Sequence, residues 1–381
     1  MGPNVPAYLP AQIPPAYREY RLNEGNIPLG NQNQLQIGND GSLKGIWITA
    51  EIAFTSPDPA PDMLTDGGQP FNVITNVVLT VGGLGQTVLC PGELLAELNK
   101  TYCRSFGRSI TYPTELTEAD SYVVNFDLYI PVCVRDPEVF GAPADYLGLT
   151  YTGDKKVQVN LQLQQQDVGA AYTGSAGGLG TGESAPTGNF VIASQKLDTP
   201  SPDEDPALLA AISWYHAIQE DTIAETLMVS NAYQPSVNQT RIYLRLLTIV
   251  RDSGVFVGSK VTSIGAQVSG IIVMQQPLDE PTLNGIEAAR YGQLEPGGSA
   301  VSGDGQSVLS PGVHALDFSY SQTRDQWFAV DDIAEFTVTE AADTSGANQF
   351  STVADYCQPS TNAQKYIAVA SPEVLKEAGV G

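Results

Sequence analysis

Chemistry in this chain would have to come from a short set of side chains. Asp127 and Asp317 each sit in an apolar, strand-like run, one followed by Leu128 and the other by Phe318. Glycoside hydrolysis uses two carboxylates across a cleft, one as acid and the other as base or nucleophile. Strand carboxylates more commonly face solvent or a neighbouring surface, and that is the expectation here. The two histidines, His216 and His314, are too few for a cupin-like metal cluster and give little material for a Ser-His-Asp site. His314 opens a strand and is expected to pack or to sit at an interface. Cys90, Cys103, Cys133 and Cys357 form no CxxC pair and lie near no His in ligand spacing; buried reduced thiols are expected. Asp58, Asp62 and Asp66 recur every fourth residue, which misses the alternate-residue pattern of a calcium-wrapping loop, so a solvated acidic loop is expected. No catalytic, cofactor or metal site is expected.

The Gly-rich stretch 168–188, VGAAYTGSAGGLGTGESAPTG, has no Lys-Ser or Lys-Thr after its glycines, so it lacks the phosphate-binding pattern. A flexible surface loop or tower-like excursion is expected there. Sequons occur at Asn99-Lys100-Thr101 and Asn238-Gln239-Thr240, patterns short enough to arise by chance.

Lys and Arg total 18 against 42 Asp and Glu, a formal charge of −24 in 381 residues. The surface is depleted in base, which argues against direct nucleic-acid binding, where clustered cations displace counterions. It also argues against docking on anionic lipid through a polybasic patch. No run reaches the roughly 18–20 apolar residues of a membrane-spanning helix. The N-terminus has no basic region ahead of an apolar core, so synthesis and maturation in a host cytoplasm are expected.

The elements that position these residues are mostly strands. Val73–Cys103 reads as an apolar strand, a Gly-rich turn, a second strand, and a helix opened by Pro91-Gly92. A strong strand follows at Tyr122–Val134, with Pro131 placing it at an edge or bend. The design recurs: Val268–Gln276 reads as a strand, a helix opened by Pro277 follows to Tyr291, and His314–Tyr320 is the next strand. The offset between Pro91 and Pro277, roughly 190 residues, suggests a duplicated unit. Period-two alternation marks Leu43–Thr55 and Asp154–Gln166. Asn189–Leu197, Glu225–Ala232, Gln239–Arg251, Val255–Ile264, Gln326–Val330, Ile333–Thr339 and Lys365–Ala370 also read as strands. Ala207–Glu220 is compatible with helix or strand, and the tail with one helical turn begun at Ser371-Pro372.

Seven or eight short strands in each half, with one helix inserted, predict two tandem jelly-roll β-sandwiches. Residues 1–25 form an extended, Pro-rich N-terminal arm in which Tyr8, Leu9, Ile13, Tyr17 and Tyr20 offer apolar surface to a neighbour or a membrane. The first jelly roll is expected over 26–200, and the second, with the tail, over 201–381. The linker DTPSPDEDP, Asp198–Pro206, marks the boundary.

At the level of ITNVVLTVGG…CPGELLAELNKTYC, VVNFDLYIPVCV, DYLGLTYTGDKKVQVNLQL, RIYLRLLTIVRDSG and LDEPTLNGIEAARYG, the chain resembles the double jelly-roll major capsid proteins of membrane-containing icosahedral phages. These are of the tectivirus type, in the lineage of adenovirus hexon. The resemblance covers about two thirds of the chain and rests on order and spacing. It departs from the pattern in the Pro-rich N-terminus, where the family often has a helix, and in the stretch 168–188. It implies a structural protein rather than an enzyme: a pseudo-hexameric homotrimer that tiles an icosahedral virion over an internal lipid membrane. The implied partners are neighbouring capsomers, penton and minor capsid proteins, and the membrane through the arm, without direct nucleic-acid contact. The competing readings are a jelly-roll carbohydrate-binding module and a glycosidase-like enzyme, since fold does not fix function.

Overall fold

A computed structural model gives the architecture. It describes residues 18–30, 33–65, 68–102, 110–134, 148–153, 157–224, 230–233, 241–268, 272–291, 308–318, 328–329, 336–343 and 348–379. The chain divides into two compact bodies. Described residues of the first lie in 18–99, 110–218 and 359–379, and those of the second in 100–102 and 219–358.

The first body begins with β1 (Arg18–Pro28), β2 (Gln34–Ile37), β3 (Ser42–Thr55), β4 (Ile74–Val81) and β5 (Gly85–Cys90), then helix α1 (Gly92–Tyr102). It continues with β6 (Ser121–Pro131), β7 (Thr150–Tyr151), β8 (Val159–Gln165), α2 (Val168–Thr173), β9 (Thr187–Asp198) and α3 (Pro206–Ile212). Its strands form one sheet in the order β1-β9-β3-β6, with β7 on the end of β3, and a second in the order β5-β4-β8-β2. All these pairings are antiparallel. Alternation chooses the buried face. Ile46, Ile48, Ala50 and Ile52 of β3 are fully buried while Thr49 and Glu51 between them are exposed. Phe126 of β6 packs edge-on against Phe71 at 5.1 Å and near Phe190 of β9 at 6.4 Å, filling the space between the layers. Pro131 ends β6 at the sheet's edge, where its missing N–H costs no ladder bond.

Strand β10 (Trp214–Ala224) leads into the second body. There follow β11 (Ser230–Tyr233), β12 (Ile242–Asp252), β13 (Val255–Phe256), β14 (Val261–Val268), β15 (Ile272–Leu278) and α4 (Glu280–Tyr291). Then come β16 (Val313–Asp317), β17 (Phe328–Ala329), β18 (Phe336–Ala342) and β19 (Asn348–Pro359). One sheet has the order β11-β18-β14-β15; in the other, β12 pairs with β19, β13, β16 and β17. The expected duplication is present: the hairpin β4-β5, helix α1 and strand β6 have as counterparts β14-β15, α4 and β16. Two helices, α5 (Gln364–Ile367) and α6 (Pro372–Glu377), close the chain within the first body.

Several sequence expectations are corrected. The boundary is at Ile218/Gln219, not within Asp198–Pro206, and the tail belongs to the first jelly roll rather than the second. Leu208, Leu209 and Ile212 of α3 share one buried cluster with Cys133, Leu149 and Leu197 and with Ala363, Tyr366 and Ala378 of the tail. The composition of DTPSPDEDP marks a helix start, with the Asp205 carboxylate accepting the N–H groups of Ala207 and Leu208. Ala207–Glu220 is both helix and strand, because α3 ends at Ile212 and β10 begins at Trp214.

The stretch 168–188 is not a free excursion. Asp167 caps α2 and also accepts the N–H of Gly177, and Tyr172 is fully buried with its hydroxyl on the Pro70 carbonyl. Residues 18–25, assigned to the arm, are strand β1 along β9. Val268–Gln276 is not one strand: β14 ends at Val268 and β15 starts at Ile272. The helix opens at Glu280, not at Pro277, with the Asp279 carboxylate accepting the Thr282 N–H. Lys365–Ala370 contains a helical turn rather than a strand, because Tyr366 needs to turn into the cluster with α3.

The β9–β3 seam leaves no room for a side chain at Gly188, where a Cβ would lie 2.2 Å from the Glu51 carbonyl oxygen. Gly188→Ala must push the two strands apart and is expected to cost about 1–3 kcal/mol. The check is the melting temperature, which should fall.

Candidate functional site

The charged groups that sequence reading singled out for chemistry are built into the bodies as structural locks. Asp127 lies on the open face of β6, where its carboxylate accepts the Thr49 hydroxyl at 2.6 Å. Asp317 ends β16 in the second body, its side chain 1% exposed, bonded by the Tyr291 hydroxyl at 2.8 Å and 3.8 Å from Arg245 Nε. The two aspartates belong to different bodies, each engaged by its own neighbours.

Arg245 is the centre of that second-body network. Its Nε is 3.5 Å from Asp355 Oδ2, its guanidinium lies 4.1 Å over the Tyr102 ring, and it donates to the Thr101 hydroxyl. Tyr102 donates to the same Asp355 at 2.6 Å. Burial disfavours the charge on Arg245, but Asp317, Tyr102 and Asp355 outweigh it and hold the guanidinium charged. Burial, with Asp355 adding to it, raises the Tyr102 phenol. One cation thus balances two buried carboxylates contributed by β16 and β19.

His314 forms a second lock. Its Nδ1 faces Glu287 at 3.2 Å and its Nε2 bonds Glu280, both residues of α4 two turns apart. Glu287 also accepts the Ala315 N–H at 2.7 Å, and Glu280 accepts that of Gly312 at 3.2 Å. Burial works against the imidazolium, yet bonding to Glu280 and Glu287 overcomes it and raises the His314 pKa to about 9. His216, by contrast, is an ordinary core histidine, with Nδ1 donating to the Pro131 carbonyl at 2.8 Å.

The first body has a lock of its own that sequence reading missed. Lys196 of β9 is fully buried, 3.0 Å from Glu24 of β1 and 2.8 Å from the Gly38 carbonyl. Glu24 also accepts the Gly38 N–H at 2.8 Å and the Ser194 hydroxyl. Burial raises a carboxyl pKa, but here the bonds from Ser194, Gly38 and Lys196 prevail and lower it. The only sequence signal was a lysine among strand residues at Asn189–Leu197.

Cys90, Cys133 and Cys357 are buried; Cys103 lies outside the described residues. Asp58 and Asp62 are exposed loop residues, and Asp66 lies outside the described residues. Among the described residues, no group of three or more His, Cys, Asp or Glu is arranged to hold a metal ion. Asn99 is buried, exchanging hydrogen bonds with the Tyr129 backbone, so its sequon is closed to modification in the folded protein; Asn238 lies outside the described residues. Of the arm, Tyr8, Leu9, Ile13 and Tyr17 lie outside the described residues. Tyr20 is half-buried in β1 opposite Lys196, where burial and then Asp40 raise its phenol. Two cavities among the described residues have room for about 20 and 10 Å³, the size of single waters rather than of a ligand.

No protein-family model matches the chain, and no curated protein matches it in sequence. Solved structures do match it. The atomic structure of Sulfolobus Turreted Icosahedral Virus contains a chain aligned with a TM-score of 0.64 at 14% identity, over 94% of this chain and 98% of that one. The crystal structure of the STIV MCP aligns with a TM-score of 0.63 at 13% identity, over 89% and 96%. The major capsid protein P2 from Bacteriophage PM2 gives 0.54 at 12% identity, over 90% and 98%. The chain is a double jelly-roll protein: its fold is that of this class of viral capsid proteins, matched through both bodies.

Proposed function

We propose that this chain is the major capsid protein of an icosahedral virus, a structural protein and not an enzyme. The observation that carries the reading is the match of both jelly rolls, in order and nearly end to end, to capsid proteins of which this chain spans 96% and 98%. A carbohydrate-binding or glycosidase role has no matching support: the two candidate aspartates serve separate neighbours in separate bodies.

In this reading three copies form a pseudo-hexameric trimer, because two similar sandwiches per chain give six similar blocks around a threefold axis. Trimers meet neighbouring capsomers and penton and minor capsid proteins in the virion shell. Tyr8, Leu9, Ile13, Tyr17 and the start of β1 at Tyr20 supply the contact to a neighbour or to an internal membrane. The base-poor composition suits a shell that does not touch the genome, which a bilayer would separate from it.

Light scattering behind size exclusion is expected to return three times the 40.5 kDa chain mass; a strict monomer at micromolar concentration overturns the proposal. Removal of residues 1–17 leaves β1 whole, so the trimer is expected to persist while shell assembly is impaired. Unchanged assembly would remove the arm from the mechanism.

A further inference from the structure

We propose that α4 is a pH-operated latch on the second jelly roll, with His314 as the bolt between Glu280 and Glu287. Those two carboxylates lie on the same side of α4, and one imidazole on β16 reaches both. An imidazolium has two N–H donors and satisfies both acceptors at once; a neutral imidazole has one. Its loss of charge therefore leaves one lone-pair contact facing a buried carboxylate, and two like charges sharing a pocket with no cation between them.

Among the described residues the surroundings offer no replacement. From β12, Thr248 faces His314 and gives its hydroxyl to the His314 carbonyl at 3.4 Å. From β14 and β18, Ile264, Ala266 and Val338 close the adjoining cavity of about 10 Å³ with apolar groups. From α4, Asn284 bonds Glu280, and Leu283 lines the same cavity. The titratable group of β18, buried Glu340, accepts from Thr352. The two cations of β12 are committed elsewhere, Arg245 to Asp317 and Asp355, and Arg251 to Ser351 at 3.0 Å with Glu220 at 3.9 Å. Besides this lock, α4 is held by the buried residues Leu283, Ala288 and Tyr291, so losing the lock loosens the helix without detaching it or unfolding the sheets.

The sign follows from the direction of each shift. The folded pKa of His314 is raised, so its contribution is complete below the usual 6.5 and is lost as pH rises through about 9. Burial also raises Glu287, which acts in the same direction from the usual 4.5 upward. Glu280 is lowered against the effect of its own burial and contributes above the usual 4.5, with loss only as pH falls. Tyr291 of α4 is raised by burial and then by Asp317, so its own contribution is lost only above the usual 10, and the change between pH 6.5 and about 9 is the one His314 supplies.

The test is hydrogen exchange of the full chain, with α4 amides read against β12 amides as an internal reference and intrinsic rates removed. Relative protection of α4 is expected to fall at least tenfold between pH 6.5 and 9.5 in the unmodified protein. In His314→Gln it should be low and flat over that range. Protection of α4 that tracks β12 throughout, or a fall in His314→Gln equal to that of the unmodified protein, overturns the latch. If His314→Gln fails to fold, Glu280→Gln decides. It removes one of the two carboxylates that raise His314, so the midpoint of the fall must move to lower pH; an unmoved midpoint rejects the proposal.

Discussion

Arg245→Met is expected to cost about 3–5 kcal/mol in the second jelly roll, the usual penalty for removing one partner of a buried ionic group. The side chains of Arg245, Asp317 and Asp355 are 6%, 1% and 0% exposed, so water cannot take over the role of the guanidinium. After the substitution, Asp317 keeps the Tyr291 hydroxyl and Asp355 keeps that of Tyr102, but two carboxylates remain without a cation. The Tyr102 ring also loses the cation stacked on it. Arg245→Lys should recover only part of the loss, because an ammonium is a point charge and cannot address Asp317, Asp355 and Thr101 together. The measurement is exchange protection of β12 and β19 amides. A change of less than about 1 kcal/mol would mean that the network is solvated in solution.

Glu24→Ala is expected to lower the melting temperature of the first jelly roll by roughly 10 °C, corresponding to about 3–5 kcal/mol. It strands the Lys196 ammonium, fully buried, with one backbone carbonyl and the carboxylate of Asp40, which is 3.9 Å away and 63% exposed. The Gly38 N–H and the Ser194 hydroxyl lose their acceptor at the same time. Glu24→Gln should cost less, since the amide oxygen still accepts. The double substitution Glu24→Leu with Lys196→Met should regain much of the loss, because it removes both charges together. The pH dependence has a definite sign: the folded pKa of Glu24 is lowered, so its contribution exists above the usual 4.5 and fades as pH falls below it. Glu24→Ala should flatten that acid limb. Equal acid sensitivity in the variant and the unmodified protein would show that this pair does not hold β1 to β9.

Strands with one wet face were legible from sequence. Leu43–Thr55 and Asp154–Gln166 alternate; β3 is the first with Ser42 added, and β8 lies within the second. A strand buried on both faces was legible where its residues are mostly apolar, as in β12, read at Gln239–Arg251, but not where polar residues interrupt it. β19 was missed because Asn348, Ser351, Thr352 and Asp355 interrupt its apolar residues, and every one of them is buried and bonded inside the sheet. Period-two reasoning takes a polar residue as an outward one, and here the outward side is also protein. The helix in the Gly-rich stretch was missed for a related reason. Glycine-rich composition signals freedom, whereas Asp167 and the buried Tyr172 fix the segment from a distance in sequence.

By itself the sequence determined that this protein is made of short strands, that a hairpin–helix–strand unit occurs twice, and that it holds only two histidines and four scattered cysteines. Those properties are local or compositional: periodicity, turn residues and counts of reactive groups. Only the tertiary structure decided that the tail returns to the first jelly roll, that Lys196 meets Glu24, and that His314 stands between two glutamates of one helix. Each of these joins residues distant along the chain, and burial gives such pairings their strength. A charge removed from water must find its partner wherever the fold brings one, and spacing along the chain does not encode that position.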